Sequence, residues 1–323
     1  MRAARLAGPR RFEFVEVPRP VPGEGQALVR LQYLSVCGSD MRTYEHVFPE
    51  EHYPLETGLP CHECLGVVEE SRCDAFPVGQ RAIVLPTPHV GLAEYILGDP
   101  SRLVPIPEEG DPAVWLMCQP VGTALHACLR MGSVLGKRVA IVGQGPIGLS
   151  FTYLLARQGA RQVIVTDVLD YRLRIAKGLG ATHTINPARQ DVAQAIAAAT
   201  GHSMADVVVE AVGRPETVNQ AFQIVRQEGL IVLFGLPHPP TTFPVDYDAL
   251  TRRTPMVQVT VSSRTPHHAQ DIKTCVDLAA EGRLDASFLE SLITHRLAFD
   301  DVQLAFDLYS EKRHASLKVV MKV

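Results

Sequence analysis

Apolar and polar residues alternate in short runs over the first 120 residues. The stretch 29–34 alternates as a half-buried strand does, and 66–69 and 81–85 are also rich in strand-forming residues. Prolines and glycines between such runs are typical of turns, as at 18–25, before the first of them. The pattern predicts an antiparallel, barrel-like β domain over residues 1–121.

After residue 121 the pattern changes, and strand-like apolar runs alternate with helical ones. This alternation predicts an α/β fold, a doubly wound parallel sheet over residues 122–264. A further helix is predicted to begin at Pro266, and the tail 265–323 ends in short helix and strand. The predicted sheet strands are 139–142, 163–166, 183–185, 207–210, 230–234 and 257–261. The predicted helices between them are 146–158, 170–179, 189–199 and 215–225.

Composition narrows the classes of protein that this chain can be. Its 323 residues are 46% hydrophobic and carry a formal charge of -4 without a basic run, which argues against a nucleic-acid partner. No apolar stretch approaches the roughly 20 residues of a membrane span. The first residues lack the pattern of a signal peptide, so we expect a cytoplasmic protein. Seven cysteines, an odd number, favour reduced thiols or metal ligands over a disulfide framework.

A glycine-rich turn lies between the first predicted strand and helix of the α/β region. It reads Gly143-Gln144-Gly145-Pro146-Ile147-Gly148. Gly143 permits a tight turn, Gly145 allows close approach of a pyrophosphate, and Gly148 allows the helix to pack on the strand. The alternative is a turn without a ligand, but the order of strand, glycines and helix favours dinucleotide binding.

Asp167 ends the next predicted strand, 19 residues beyond Gly148. A carboxylate there accepts hydrogen bonds from the adenosine ribose and repels a 2′-phosphate, which predicts NAD rather than NADP. The alternative is that Asp167 only caps the next helix. Arg172 is placed to reach the same ribose, or is a salt-bridged helix residue.

Three potential metal ligands lie in two separate segments of the β domain. Cys37 follows the predicted strand 29–34, and His62 and Glu63 precede another strand. Thiolate, imidazole and carboxylate together fit a catalytic zinc site with an open position. Each also has an ordinary structural interpretation, since free cysteine is often a small buried apolar residue. Beside Cys37 lie Cys61, Cys64 and Cys73, but their spacing matches no second CxxC pair. This argues against a structural zinc knot.

These motifs resemble the zinc-dependent medium-chain dehydrogenases, the alcohol, sorbitol and threonine dehydrogenases, over almost the whole chain. The resemblance implies a GroES-like catalytic domain, completed by the tail 265–323, and a Rossmann domain. It also implies a homodimer or homotetramer. The segments that carry it are Cys37-Gly38-Ser39-Asp40, Cys61-His62-Glu63, Gly79-Gln80-Arg81, Gly91-Leu92-Ala93-Glu94-Tyr95, Gln119-Pro120, the glycine-rich turn and Ile293-Thr294-His295-Arg296.

The resemblance assigns roles to individual residues. It implies one catalytic zinc per chain, bound by Cys37 and His62, with Glu63 as an intermittent or direct third ligand. Asp40 would orient His62, and Ser39 would accept the proton of the substrate hydroxyl. The residues implied near the nucleotide are Thr123 and Phe234-Gly235-Leu236 beside the nicotinamide and Lys318 at the pyrophosphate.

The chain departs from the family pattern at three places. The four-cysteine structural zinc lobe is missing, since only residues 87–90 stand between Pro86 and Gly91. Gln119 stands where a further ligand, usually Cys, Asp or Glu, is found. Arg42 replaces a histidine of the proton exit path. Arg42 then either grips a phosphate or an anionic substrate, or is a solvated residue while His46 or water carries the proton.

The leading hypothesis is an NAD- and zinc-dependent oxidation of a secondary alcohol, a polyol or sugar alcohol, or the reverse reduction of a ketone. The polyol branch fits because Glu63 and the Gln119-Pro120 segment match it better than a two-cysteine site. One alternative is a zinc-free quinone or enoyl reductase of the same fold, which Gln119 supports. Another is a nucleotide- or metal-binding protein without turnover.

Overall fold

The chain folds as two units in a computed structural model that describes residues 1–237 and 242–323. One unit, called the catalytic unit below, contains residues 1–122 and 269–323. The other, called the nucleotide unit, contains residues 123–268. Within the described ranges, no helix combines the length and apolar character needed to span a bilayer.

The strands of the described residues follow the apolar runs of the sequence. In chain order they are β1 (Arg2–Gly8), β2 (Arg11–Glu16), β3 (Ala27–Ser35), β4 (Glu63–Ser71), β5 (Arg81–Val84), β6 (Tyr95–Gly98), β7 (Leu103–Pro105), β8 (Arg138–Val142), β9 (Gln162–Thr166), β10 (His183–Ile185), β11 (Ala205–Glu210), β12 (Val225–Leu233), β13 (Met256–Val259), β14 (Ile293–Ala298) and β15 (Lys318–Lys322).

The α-helices of the described residues are found in both units. The α-helices are α1 (Met41–Tyr44), α2 (Pro112–Leu116), α3 (Cys118–Met131), α4 (Pro146–Arg157), α5 (Asp170–Gly178), α6 (Val192–Ala199), α7 (Pro215–Ile224), α8 (Tyr247–Arg253), α9 (His268–Ala280), α10 (Ala286–Ser291) and α11 (Val302–Ser310).

The catalytic unit is built on a seven-stranded sheet. Its order is β14-β15-β3-β4-β5-β7, with β6 also paired to β3, while β1 and β2 form a separate hairpin. The pairs are antiparallel except β14 with β15. The C-terminal strand β15 lies against β3, with Val320 opposite Ser35. The tail of the chain therefore completes the N-terminal sheet, and it lies beside the loop that carries Cys37.

The nucleotide unit contains the predicted parallel sheet. Its strand order is β10-β9-β8-β11-β12-β13, and each pair is parallel. Numbered from β8, this is the order 3-2-1-4-5-6 of a dinucleotide-binding sheet. The strand order reverses beside β8, because β9 and β10 lie on one side of it and β11, β12 and β13 lie on the other. In such sheets, ligands bind at the carboxyl ends of the strands at this point.

The sequence pattern missed one long helix and placed the start of one strand five residues too late. Helix α3 occupies Cys118–Met131, where no helix was predicted. Pro120 obscured it, because proline usually interrupts a helix yet costs little in the first turn, where its missing N–H has no partner. Strand β12 begins at Val225, five residues earlier than predicted, directly at the end of α7.

Candidate active site

The loop after β3 forms a tight turn around Asp40. A short 3-10 helix follows at Gly38–Asp40, and the Asp40 side chain accepts a hydrogen bond from the backbone N–H of Cys37 at 2.9 Å. Asp40 is buried. The turn therefore fixes the thiol of Cys37 and the carboxylate of Asp40 on one short segment.

The pairing of β3 with β4 brings the second segment to this turn. Ser35 and Glu63 are opposite each other in the register, so the ends that carry Cys37 and His62 are neighbours. The thiol of Cys37, a ring nitrogen of His62 and a carboxylate oxygen of Glu63 all lie within 4.8 Å of one another. One thiolate, one imidazole and one carboxylate form a donor set that suits zinc.

The imidazole of His62 is held by Asp40. The distance from Nδ1 of His62 to Oδ1 of Asp40 is 2.8 Å. This contact leaves Nε2 toward Cys37 and Ser39, which is the nitrogen a metal would use. Burial lowers the pKa of His62, but the charges of Asp40 and Cys37 outweigh it and raise the pKa well above its ordinary value. The positively charged form of the His62 ring is therefore favoured.

Ser39 lies beside both of these ligands. Its Oγ is 3.4 Å from Sγ of Cys37 and 3.4 Å from Nε2 of His62. A hydroxyl at this point is within reach of a group that occupies the open side of the donor set.

Glu63 is engaged by a buried lysine. Nζ of Lys318 lies 2.5 and 2.6 Å from the two carboxylate oxygens of Glu63 and 3.3 Å from the carbonyl oxygen of Val36. Burial lowers the pKa of Lys318, but the charges of Glu63 and Cys37 raise it above its ordinary value. Both side chains are almost completely buried, at 2% and 0% exposure.

This geometry corrects the place expected for Lys318. The resemblance put its ammonium group at the pyrophosphate, but the three N–H groups face Glu63 and Val36. The reason is the position of β15 against the end of β3, where Val36 donates to the carbonyl of Val319 at 3.0 Å. Lys318 therefore lies next to the donor set, where it would compete with a metal for the Glu63 carboxylate.

Three other predicted residues are not joined to the donor set by any contact among the described residues. Gln119 is buried in the first turn of α3. Arg42 is half-buried on α1. His46 is exposed, and its ring packs edge-on against Phe48 at 4.5 Å. Their roles as ligand, phosphate contact and proton carrier stay predictions.

His89 is a neighbour of the site that the sequence reasoning did not single out. Its ring lies 4.4 Å from the ring of His62 with 31° between the planes. His89 is an exposed residue. Partial desolvation of its ring against the site, together with the nearby His62, lowers the pKa of His89 and favours its neutral form. The missing zinc lobe was the available signal, because a four-residue link must pass close to the ligands.

In the nucleotide unit, the three glycines of the glycine-rich turn differ in what surrounds them. Gly143 has φ +91°, and a Cβ on Gly148 would lie 1.9 Å from the carbonyl oxygen of Gly143. A Cβ on Gly145 would meet only Arg172, at 3.7 Å. The first and third glycines therefore hold the strand and helix together, and the second leaves open backbone at the N-terminus of α4, where a phosphate group fits.

Asp167 faces the same turn. It accepts hydrogen bonds from the backbone N–H groups of Gln144 and Leu169, each at 2.8 Å, and is nearly buried. Arg172 lies 3.7 Å from this carboxylate, and its Nε donates to the hydroxyl of Tyr171. The turn and the end of β9 are thus joined through Asp167. Arg172, on α5, forms a salt bridge with Asp167, and its contact with the ribose stays a prediction.

Of the remaining predicted nucleotide contacts, Phe234 and Gly235 follow β12, whereas Thr123 lies on α3. Phe234 packs edge-on against Phe151 at 5.2 Å, and a Cβ on Gly235 would lie 2.1 Å from the backbone nitrogen of Gly213. Thr123 lies on α3 and is half-buried. Sequence reasoning missed the buried Glu210, which accepts hydrogen bonds from Val212, Gly213 and Thr217.

Comparison with known proteins agrees with both units. Residues 23–108 match the model of the alcohol dehydrogenase GroES-like domain, and residues 146–281 match that of the zinc-binding dehydrogenases. Together these ranges span more than half of the chain. The fold and these two matches define the class of zinc-type dehydrogenases. The chain belongs to the zinc-type medium-chain dehydrogenase family and is an oxidoreductase that acts on alcohols.

Individual relatives resemble the chain over most of its length. The uncharacterized zinc-type alcohol dehydrogenase-like protein YdjJ of Escherichia coli is 27% identical, over 99% of this chain and 98% of its own. The L-threonine 3-dehydrogenase of Bacillus velezensis is 28% identical, over 91% and 90%. The crystal structure of ECK1772, an oxidoreductase/dehydrogenase of unknown specificity from Escherichia coli, superposes with a TM-score of 0.86 at 26% identity, covering 99% and 98%.

Proposed function

We propose that the protein transfers a hydride between a secondary alcohol, a polyol or sugar alcohol, and NAD, with one zinc ion per chain. The observation that carries this proposal is the convergence of Cys37, His62 and Glu63 within 4.8 Å, with Asp40 behind His62. Bound zinc would supply a Lewis acid that lowers the pKa of the alcohol hydroxyl, and NAD would accept the hydride.

The chain's own residues bind the metal and move the proton. Cys37 and His62 are the constant ligands, because Glu63 is shared with Lys318. Asp40 keeps the Nδ1 proton on His62, so that Nε2 is the free donor. Ser39, at 3.4 Å from both ligands, accepts the proton of the substrate hydroxyl. We place proton release to solvent on water or His46.

The preference for NAD rests on Asp167. Its carboxylate is held at the glycine-rich turn by two backbone N–H groups. A 2′-phosphate would meet this negative charge. The salt bridge with Arg172 reduces the repulsion without removing it. We therefore expect catalytic efficiency to be higher with NAD than with NADP, and Asp167→Ser to narrow the difference.

A zinc-free reductase of the same fold is the second candidate. The observation that favours it is the engagement of both Glu63 oxygens by Lys318, together with the neutral Gln119 at the usual position of a further ligand. Two ligands would then be left for zinc. The presence of zinc in the purified protein distinguishes this candidate from the first.

The test measures zinc content and turnover on the same sample. We expect one zinc per chain after expression with zinc, and NADH production from at least one member of a panel of secondary polyols. Cys37→Ala should lose both. Ser39→Ala is the matched control, because it should retain zinc and lose turnover. Protein without zinc after such expression would overturn the proposal in favour of the second candidate.

A further inference from the structure

The turn 87–91 is fastened to the residue that precedes His62. The backbone N–H of Cys61 donates to the carbonyl of His89 at 2.8 Å, and the N–H of Gly91 donates to the carbonyl of Cys61 at 3.0 Å. Cys61 and Val90 form a parallel bridge. The position of His89 relative to His62 is therefore set by backbone hydrogen bonds.

Two glycines permit this close approach. Gly58 has φ +95°, and a Cβ on it would lie 2.4 Å from the carbonyl oxygen of Val90. A Cβ on Gly91 would lie 2.3 Å from Sγ of Cys64. Side chains at either position would push the turn away from the strand that begins with Glu63. The local sequence is thus adapted to hold the turn against the donor set.

The ring of His89 restrains a movement of the His62 imidazole that the hydrogen bond to Asp40 leaves possible. A hydrogen bond from Nδ1 to Asp40 fixes one atom of the imidazole, but the ring can still rock about that contact. His89 covers one face of the ring at 4.4 Å and blocks the rocking on that side. Contacts between aromatic rings contribute beyond the area that they bury.

We propose that His89 is a positioning residue for His62, holding the Nε2 atom in place for the metal by packing on the face of its imidazole. This inference rests on the proposed function, because it requires a metal at Cys37 and His62. A ring nitrogen of His89 also lies within 4.8 Å of a ring nitrogen of His62 and a carboxylate oxygen of Asp40. An aromatic ring without nitrogen at this position therefore separates a role of the ring face from a role of that nitrogen.

The test compares His89→Ala with His89→Phe, which keeps an aromatic face but has no nitrogen. The zinc-loaded proteins are mixed with a chromogenic chelator, and the rate of zinc release is followed. We expect His89→Ala to release zinc roughly 10- to 100-fold faster than the wild type, the range found when partners of metal ligands are removed. His89→Phe should stay within about threefold of the wild type on the same physical argument. His52→Ala, which removes an exposed histidine of the same unit, is the control.

The other outcomes each overturn a stated part. Wild-type release from His89→Ala would overturn the positioning role. Equal defects in His89→Ala and His89→Phe would show that a nitrogen of His89 is needed, and would overturn the stacking role as well. Nitrogen-15 spectra of the His62 ring provide a readout apart from release, and we expect a shift in His89→Ala only. A wild type without zinc would instead overturn the proposed function itself.

Discussion

At the scale of single residues, the pairing of Glu63 with Lys318 is the strongest electrostatic feature of the catalytic unit. Two opposite charges are buried at the edge of the donor set, and each satisfies the other. Such a pair adds little to stability compared with apolar residues, but removal of one partner leaves a buried charge that has no compensation. In this protein the uncompensated charge would lie next to a candidate metal.

Lys318→Met tests this pair. We expect metal-free Lys318→Met to lose about 3–5 kcal/mol of the free energy of unfolding, because the Glu63 carboxylate is left buried without its cation. Urea denaturation of the metal-free protein measures the loss. Zinc should restore part of it, since Glu63 is then free to act as a ligand.

The matched control for this prediction is the double variant Glu63→Gln with Lys318→Met. Removal of both charges should recover most of the stability that Lys318→Met loses, because neither side chain is then ionised. A double variant as unstable as Lys318→Met would show that packing of the lysine stem, rather than the charge, accounts for the loss.

Glu210 gives a prediction for the dependence of stability on pH. Burial raises the pKa of this carboxyl above its ordinary value of 4.5, although hydrogen bonds from Gly213, Thr217 and Val212 oppose the shift. The folded state then binds the proton more tightly than the unfolded state. The contribution of Glu210 is fully present below 4.5 and is lost as pH rises through the folded pKa.

We therefore expect the wild type to lose stability relative to Glu210→Gln as the pH rises above 4.5, the ordinary pKa of a glutamate side chain. Urea midpoints of the two proteins over a pH series measure the difference in slope. The absolute stability of Glu210→Gln is not the test, because its amide also loses an acceptor for the N–H of Gly213. Parallel curves would show that Glu210 has the same pKa in both states.

Sequence reasoning placed Cys37, His62 and Asp40 together but missed two other neighbours of the site. Cys37 and His62 were predicted from the zinc-binding chemistry of thiol and imidazole and from the family resemblance. Lys318 was assigned to a different partner, since the register of β15 against β3 decides what its ammonium group meets. A single lysine between the apolar residues Leu317 and Val319 indicates a buried position. The sequence does not show which carboxylate this lysine pairs with. His89 depends on a contact between segments distant in sequence.

At the scale of elements, the glycine-rich turn connects sequence and structure most directly. Its strand and helix were predicted within a residue or two, because local signals define them: an apolar run, glycines at fixed spacing and proline at the first helical position. Helix α3 was missed because its signals conflict. The same residue type that correctly begins α4 obscured α3.

Two alanine variants separate the roles of these glycines. Gly148→Ala should destabilise the protein by about 1–3 kcal/mol, because its Cβ would clash with the carbonyl of Gly143 at 1.9 Å. Gly145→Ala should fold normally, since Gly145 has φ -66° and open space around its Cβ. The methyl group would nevertheless occupy the approach of the pyrophosphate. We expect Gly145→Ala to raise the dissociation constant of NADH at least tenfold.

Thermal unfolding and fluorescence titration with NADH measure the two effects. Each variant is the control for the other, because one should change stability and the other affinity. If Gly145→Ala binds NADH as well as the wild type does, the turn does not contact the phosphates.

At the scale of the whole molecule, the two candidate binding sets lie in different units. The donors Cys37, His62 and Glu63 and their partners Asp40 and Lys318 belong to the catalytic unit, while the glycine-rich turn and Asp167 belong to the nucleotide unit. Since a ligand stabilises the state that it binds, each cofactor should first stabilise the segments that hold it.

Hydrogen exchange of the full chain tests this division. Zinc added to protein freed of metal by a chelator should slow exchange around 36–41 and 61–65. NADH alone should slow exchange around 143–149 and 166–169. A ligand at 100 times its dissociation constant stabilises by about 2.7 kcal/mol, which corresponds to about 100-fold slower exchange where opening releases the ligand. If zinc alone protected 143–149 as strongly as 36–41, Cys37 and His62 would be the wrong donor set. If NADH alone protected neither of its segments, the glycine-rich turn would lose its assigned role.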